Sequence, residues 1–495
     1  AFSRHAAPRL IRFGKVYAGA CSPANSCLAG CISAIWMSRI LVCSILLEAH
    51  SQGPLRSRNF YDDIVSRISG KEGDIEAPLA DHGVQIAMAL ARARLTHNKK
   101  KTVVVSSKAS IGNKVIKLMI KQNVTLKVVR AARDLGLDAG GGLRRATTTQ
   151  ASRGRKALAK LAKSVGLVRS NRVATRLVQT GAPPTCADRV EASGLTDAAL
   201  ASLRAATAKA VSPGGAQNCP IIAIRATIGP EGDPLAVATR ASALWWVDNW
   251  IKKPDDHPLY RKAWEVIFPT VVIEGLPDPN WGAVYGPLGA VIANLYRIGW
   301  FPFYPDQWCD PKGEVWTIRA ETAHEGLTAL SSALLASTTT KLDEQASLHR
   351  NGEGIQKGVD LHVLNTHLKQ LSRCREHRQE GLLIATASAG LWPNTRVNEI
   401  DPEHPPICHL CGAPWGDEAH SCWRCPIIAE SEDEDIVKSR YLVPLAEAEI
   451  SKGNNLCFWL RGLPTTSMYK PPDRVTAKAK VAGPLAELAE ANRLA

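Results

Sequence analysis

Apolar positions along the chain change period several times, and each change predicts an element. Residues 28–48 form an apolar stretch broken by Arg39. Neither side of the break reaches the ~20 apolar residues of a bilayer-crossing helix, so the stretch predicts a buried helix and no membrane partner. Two short runs, 103–105 and 126–129, predict strands, and 111–122 between them carries helical spacing. Farther along, Leu158, Leu161, Val165 and Val168 recur at helical spacing, with Arg155, Lys156, Lys160, Lys163 and Arg169 interleaved. This is a basic amphipathic helix, either a core-facing stripe with solvated cations or a helix laid along a nucleic-acid backbone. Pro183-Pro184, Pro213-Gly214-Gly215, Pro220 and Gly229-Pro230 punctuate 181–233 and predict turns around a hinge. Of 13 tryptophans only Trp36 precedes Trp245. Those within 244–320 are spaced as core residues with large buried areas, in preference to base-stacking platforms. Glu430 and the acids at 432–435 predict an exposed loop, and 485–495 a short terminal helix.

Composition narrows the class. With 495 residues, 45% hydrophobic and 22% charged, the chain has the composition of a globular protein of several domains. That excludes a wholly disordered protein, a collagen and a disulfide mini-protein. The net charge of +15 is unevenly spread: Arg92 to Arg176 hold 22 lysines and arginines against two acids, Asp134 and Asp138, an excess of +20. The remainder is therefore slightly acidic. So one-sided a field predicts a polyanionic partner, with nucleic acid favoured over solvated helix faces. Thirteen cysteines, four of them crowded into 408–425, suit a reducing compartment with one metal site. The chain is expected to be intracellular. Lys99-Lys100-Lys101 is too short a basic run to decide between nucleus and cytoplasm.

The cysteine cluster reads Cys408-His-Leu-Cys411, then His420, Cys422 and Cys425. Two cysteines separated by two residues present both sulfurs to one ion, and a second pair completes a tetrahedron around Zn²⁺. His420 with Cys425 gives C-x2-C-x8-H-x4-C, and Cys422 with Cys425 gives C-x2-C-x10-C-x2-C. Either set fills four positions with protein ligands, which favours a structural site over a catalytic one.

Phe60-Tyr61-Asp62-Asp63-Ile64 sets adjacent carboxylates between apolar residues. Such a pair can top a hairpin and hold Mg²⁺, a hard cation suited to phosphates. In two-metal nucleotidyl transfer one ion activates the attacking hydroxyl and the other neutralises the leaving pyrophosphate. The same dipeptide also serves as an ordinary turn or helix cap, so its neighbours matter. Asn98-Lys99-Lys100-Lys101-Thr102 leads into the Val-rich strand, and Arg133-Asp134-Leu135-Gly136 follows. In this order the motifs resemble the reverse transcriptase of non-LTR (LINE-type) retrotransposons. Phe60 to Asp63 match the aromatic-x-Asp-Asp hairpin of its palm. Asn98, Lys101 and Thr102 match its Asn-x-x-Lys-Thr segment, Leu135-Gly136 its thumb-junction element, and Leu28-Ala29-Gly30-Cys31 its small-residue motif.

The resemblance implies an α+β fold: an incomplete polymerase palm, a small antiparallel sheet with helices, over 1–143. A basic helical thumb-like segment would follow (144–182), then a helical connector (183–243), a Trp-rich mostly helical domain (244–400), a zinc-binding segment (401–428), and an acidic loop and tail (429–495). It implies that Asp62 and Asp63 sit near catalytic Mg²⁺, with Lys101 near the pyrophosphate as charge stabiliser or general acid. Lys99, Lys100, Lys108, Arg144, Arg145, Arg155, Lys156, Lys160 and Lys163 would grip phosphates of an RNA template and DNA primer without reading sequence. The family's C-terminal CCHC segment matches Cys408, Cys411, His420 and Cys425 as zinc ligands, with Cys422 in reserve. The polymerase site also needs a third carboxylate from an upstream motif, and the only acid before Asp62 is Glu48. With Ala1 as first residue, the expectation is the later portion of a longer protein, lacking an N-terminal polymerase portion and unable to extend a primer alone. The alternative is a zinc-containing nucleic-acid-binding protein without chemistry.

Overall fold

The computed structural model describes residues 12–13, 16–17, 32–49, 55–60, 63–134, 137–142, 145–212, 218–319 and 324–468. They fall into two compact units, Ala1–Ala146 and Thr147–Ala495, in a mixed α+β, helix-dominated chain. Among the described residues no helix is long and apolar enough to cross a membrane.

In the first unit a short antiparallel ladder of Arg12–Phe13 and Val16–Tyr17 precedes helix α1 (Ile32–Glu48). The expected burial holds on one side only: Val42 and Ile45 are buried, while Ile40, Leu41 and Leu47 are exposed. An apolar run forms a helix readily, but it buries only the stripe that finds a neighbour. Strands β1 (Arg56–Phe60) and β2 (Asp63–Arg67) then form an antiparallel hairpin in which Phe60 faces Asp63. Helix α2 (Glu76–Arg92) carries Glu76 in its first turn and Arg92 in its last, both favourable to the helix dipole.

His82 of α2 joins three elements. Its Nδ1 lies 2.8 Å from the Ala49 carbonyl just past α1. Its Nε2 lies 2.9 Å from Ser57 Oγ on β1 and 3.0 Å from Ser66 Oγ on β2. A carbonyl only accepts, so Nδ1 carries the proton and Nε2 accepts from a serine hydroxyl.

Strand β3 (Val103–Val105), helix α3 (Ala109–Ile120) and strand β4 (Lys127–Val129) follow, and β3 and β4 pair in parallel. Ile111, Val115 and Met119 repeat every four residues and are buried. At Gly112 a Cβ would fall 2.6 Å from Val128 Cγ1, so the helix approaches β4 only because that side chain is absent. β5 (Ala131–Asp134) and β6 (Leu137–Gly140) form another antiparallel ladder. The expected antiparallel sheet is thus a set of separate two-stranded ladders, one of them parallel. The intervening helix explains this, since a crossover returns the second strand in the same direction. The core here is small: Ala80, Val84, Val104, Val115, Met119 and Val124.

The second unit opens with α4 (Thr148–Ser170). Ala157, Leu161 and Val168 are buried and Leu158 and Val165 pack beside them, as the periodicity predicts. α5 (Thr175–Ala187) packs against α4. Of the turn signals in 181–233, Pro213-Gly214-Gly215 lies outside the described residues; the rest fall within or at the ends of helices. Pro183 and Pro184 lie inside the end of α5, and α6 (Asp197–Val211) and α7 (Pro220–Ile228) follow. Pro220, like Pro234 of α8 (Pro234–Lys252), occupies a first helical position, where the missing N–H costs nothing. Asp233 caps α8 by accepting from Leu235 N at 2.8 Å, and the same carboxylate takes a bidentate pair from Arg204. Pro220 and Pro234 thus mark helix starts.

Helices α9 (His257–Val271) and α10 (Gly286–Tyr296) and the meander β7 (Phe301–Tyr304), β8 (Gln307–Cys309) and β9 (Val315–Thr317) complete the Trp-rich region. Trp246, Trp264, Trp300 and Trp308 are fully buried, as their spacing predicts. Trp246 Nε1 donates to the Pro305 carbonyl at 2.7 Å and Trp300 Nε1 to Ser337 Oγ at 2.8 Å. One core runs from Ala157 to Leu463 through these helices. The acidic run is part helix: Asp433 caps Glu434–Ser439 through the amides of Asp435 and Ile436. The stretch 485–495 lies outside the described residues.

Candidate metal centre

The segment after Pro406 folds on a tight backbone knuckle. Cys408 N donates to the Ala413 carbonyl and Gly412 N to the Cys408 carbonyl, both at 2.8 Å. Gly412 has φ +71°, a left-handed conformation that favours glycine. Gly416 N reaches the Pro406 carbonyl at 2.7 Å and closes the loop. At Gly416 a Cβ would come within 3.0 Å of Cys408 N, so this position too excludes larger residues.

The second pair of donors comes from a helical turn with one extra residue. His420–Arg424 is a π-helical turn, and Cys425 N donates to the His420 carbonyl at 2.9 Å. That five-residue bond sets His420 and Cys425 on one side of the turn. Asp417 Oδ1 accepts from His420 N at 2.6 Å and fixes the start. Cys422, two residues on, is exposed, while His420 and Cys425 are buried. Trp423 anchors the turn, with Nε1 donating to the Trp459 carbonyl at 2.8 Å and its ring packed edge-on against the Trp459 ring.

One donor atom from each of Cys408, Cys411, His420 and Cys425 lies within 4.8 Å of the others. Cys411 Sγ and His420 Nε2 are 3.2 Å apart. A tetrahedron with arms of ~2.3 Å has edges of roughly 3.8 Å, so this cluster closes on a single ion with small shifts. Backbone hydrogen bonds from Cys411 and Leu410 pull the Cys408 thiol down to about 6, so a thiolate is present at neutral pH. The residues therefore fit a metal ion. Between the two ligand sets that spacing left open, the geometry brings together the one with His420.

The other expected site residues are dispersed. Asp63 heads β2 and is exposed; Asp62 lies outside the described residues, as do Leu28-Ala29-Gly30-Cys31, Leu135-Gly136 and Arg144. Lys99, Lys100 and Lys101 are exposed on a turn before β3, where Asn98 Oδ1 accepts from the amides of Lys100 and Lys101. Lys108 pairs with Glu72 at 3.1 Å. Arg145 is half-buried, and burial lowers its guanidinium pKa. Arg155, Lys156, Lys160 and Lys163 are exposed on α4, with Lys160 Nζ donating to Thr185 Oγ1 at 2.8 Å. Glu48, the acid upstream of Asp62, is ion-paired with Arg92. Sequence reasoning missed His82, Asp417 and Trp423, which position the two loops without chemistry of their own. Asp417 lies three residues before His420, a cap spacing that was readable; His82 had no local signal.

No family model, no curated protein and no solved structure matches the chain.

Proposed function

We propose that this chain binds nucleic acid through its basic segment and holds a structural zinc ion at Cys408, Cys411, His420 and Cys425. The observation that carries the first part is α4. Its apolar stripe is docked in the core, and Arg155, Lys156, Lys160 and Lys163 are left on the solvent side. A row of cations on a rigid helix suits a phosphate backbone and carries no base-reading geometry. For the second part, three cysteine sulfurs and an imidazole in a closed four-donor set favour zinc over hard cations and leave no open position for substrate.

Within this reading the chain is related to the RNA-directed DNA polymerase of non-LTR retrotransposons. Asp63 opposite Phe60 in a hairpin and the C-x2-C-x8-H-x4-C spacing support that relation. In the complete polymerase, Mg²⁺ at Asp62 and Asp63 would supply the phosphoryl chemistry, with Lys101 beside the pyrophosphate. This chain alone is expected not to extend a primer, because Glu48 is committed to Arg92 and no other acid precedes Asp62.

The test is salt-dependent binding to RNA and DNA duplexes. Affinity should fall steeply with salt, and replacing Arg155, Lys156, Lys160 and Lys163 with Ala should flatten the log–log slope by roughly 3–4. Salt-independent binding, or a slope unchanged in that variant, would refute the interface. Primer extension by the chain alone would refute the inactive reading.

A further inference from the structure

The zinc-ligand segment carries a surface whose chemistry is the reverse of the basic helix. Trp415 is 68% exposed and Leu410 49%, on the same knuckle that folds around Cys408, and Ile400 and Ile407 are exposed beside it. Residues 399–435 hold ten acids against one lysine or arginine, Arg424; Glu399 and Glu418 among them pair with Arg350 and Glu434 with Lys438, which leaves the stretch in net acidic excess. Exposed aromatic and aliphatic side chains rimmed by polar groups are the composition of an interaction surface. Its charge repels nucleic acid, which needs cations beside any stacking aromatic.

The complement is on the same chain. Where α4 turns into α5, Leu167, Val173 and Leu177 are exposed. Lys163, Arg169 and Arg176 are exposed around them. This corner is basic and apolar, while the knuckle is acidic and apolar.

We propose that the acidic knuckle surface around Trp415 docks the basic α4–α5 corner of a second copy of this chain. The two patches differ, so the contact is heterologous. Each copy keeps one patch free, and association continues head to tail instead of stopping at two. Opposite charge sets the approach and the register, and the apolar side chains provide the area removed from water. Nucleic acid on the basic corner competes with the second copy, which makes assembly and nucleic-acid binding alternatives.

The experiment is sedimentation velocity on the metal-loaded protein up to about 100 μM, a range that populates weak interfaces, at about 0.1 M and about 0.5 M salt. The wild type should form concentration-dependent species larger than a dimer that dissociate at the higher salt. Trp415→Ala, which removes an exposed non-ligand side chain, should stay monomeric with its metal content unchanged. So should a Lys163→Glu, Arg176→Glu double variant. Mixed in equal amounts, these two variants should form a dimer and stop there, because each retains one intact patch. A wild type that is monomeric throughout would overturn the proposal, as would assembly indifferent to Trp415→Ala. Loss of oligonucleotide affinity in Trp415→Ala would overturn it differently, by making the knuckle a nucleic-acid surface. Binding at α4 is tested separately by the salt-slope experiment, which does not depend on Trp415.

Discussion

The Asp63 hairpin and the cysteine knuckle are both short loops that the sequence marks by tight spacing, yet they differ in completeness. The knuckle and its π-turn bring four donors from eighteen consecutive residues within 4.8 Å of one another. The hairpin presents Asp63 at the start of β2, while Lys101 sits on a turn leading into a different ladder. A metal site of this kind is encoded locally: two loops supply the whole coordination shell, and backbone hydrogen bonds set its geometry. A polymerase site is assembled from distant segments, so one loop carries only a share of it. The support differs as well. The π-turn leans on Trp459 through Trp423, whereas the hairpin is tied to its neighbours by the His82 hydrogen bonds.

The strongest way to break this comparison is to remove a donor. Cys411→Ser or His420→Ala should reduce bound zinc from one per chain to near zero, measured by elemental analysis after dialysis. Structural zinc supplies ~10–16 kcal/mol in small zinc-folded peptides at neutral pH, so the knuckle should also lose its amide protection. Cys422→Ser should keep its metal. Equal loss in Cys422→Ser would mean that the ligand set given by the geometry is wrong.

Acid should act on the same site more gradually. Folding lowers Cys408 from the ordinary thiol value of 9.0 to about 6. The folded chain therefore binds fewer protons there than the unfolded chain across that interval. The site's contribution to stability is full above the unfolded value and is lost as pH falls through about 6. Protons compete with metal for the same thiolate, so zinc release to a chromogenic chelator should rise sharply between about pH 6 and 5. Release that is flat across that interval would contradict the lowered thiol.

A smaller effect is expected at the hairpin's support. His82→Ala removes the imidazole between Ser57, Ser66 and the Ala49 carbonyl, leaving buried polar groups unpaired. The cost is about 1–3 kcal/mol. It should appear as faster amide exchange across β1 and β2, with exchange in the second unit unchanged. If exchange rises equally in both units, His82 is not a local tie.

How much of this was legible in the sequence follows the same division. The α4 stripe, the strands at 103–105 and 127–129 and the buried tryptophans were readable, because period and residue size are local properties. Spacing alone did not choose His420 over Cys422, because both patterns close a tetrahedron; the resemblance favoured His420, and the extra residue of the π-turn brings it into the cluster. Proline in 181–233 was ambiguous in sequence because it opens helices as readily as it makes turns, and Pro220 occupies a first helical position. His82 was invisible, since its partners lie 16 to 33 residues away in sequence.

The smallest expected effect belongs to Asp63 itself. It is exposed at the head of β2, and Phe60, not a second carboxylate, faces it across the ladder. An exposed carboxylate with no partner among the described residues contributes little, so Asp63→Asn should shift stability by no more than about 0.5 kcal/mol. Nucleic-acid affinity should hardly change either, because the cations of α4 are untouched. The result discriminates in both directions. If the proposed relation holds, the same substitution in an active polymerase of that kind should abolish primer extension, since each metal ligand is needed for in-line transfer. If Asp63→Asn instead destabilises this chain strongly, the aspartate is a structural turn residue and the hairpin's likeness to a polymerase palm loses its chemical meaning.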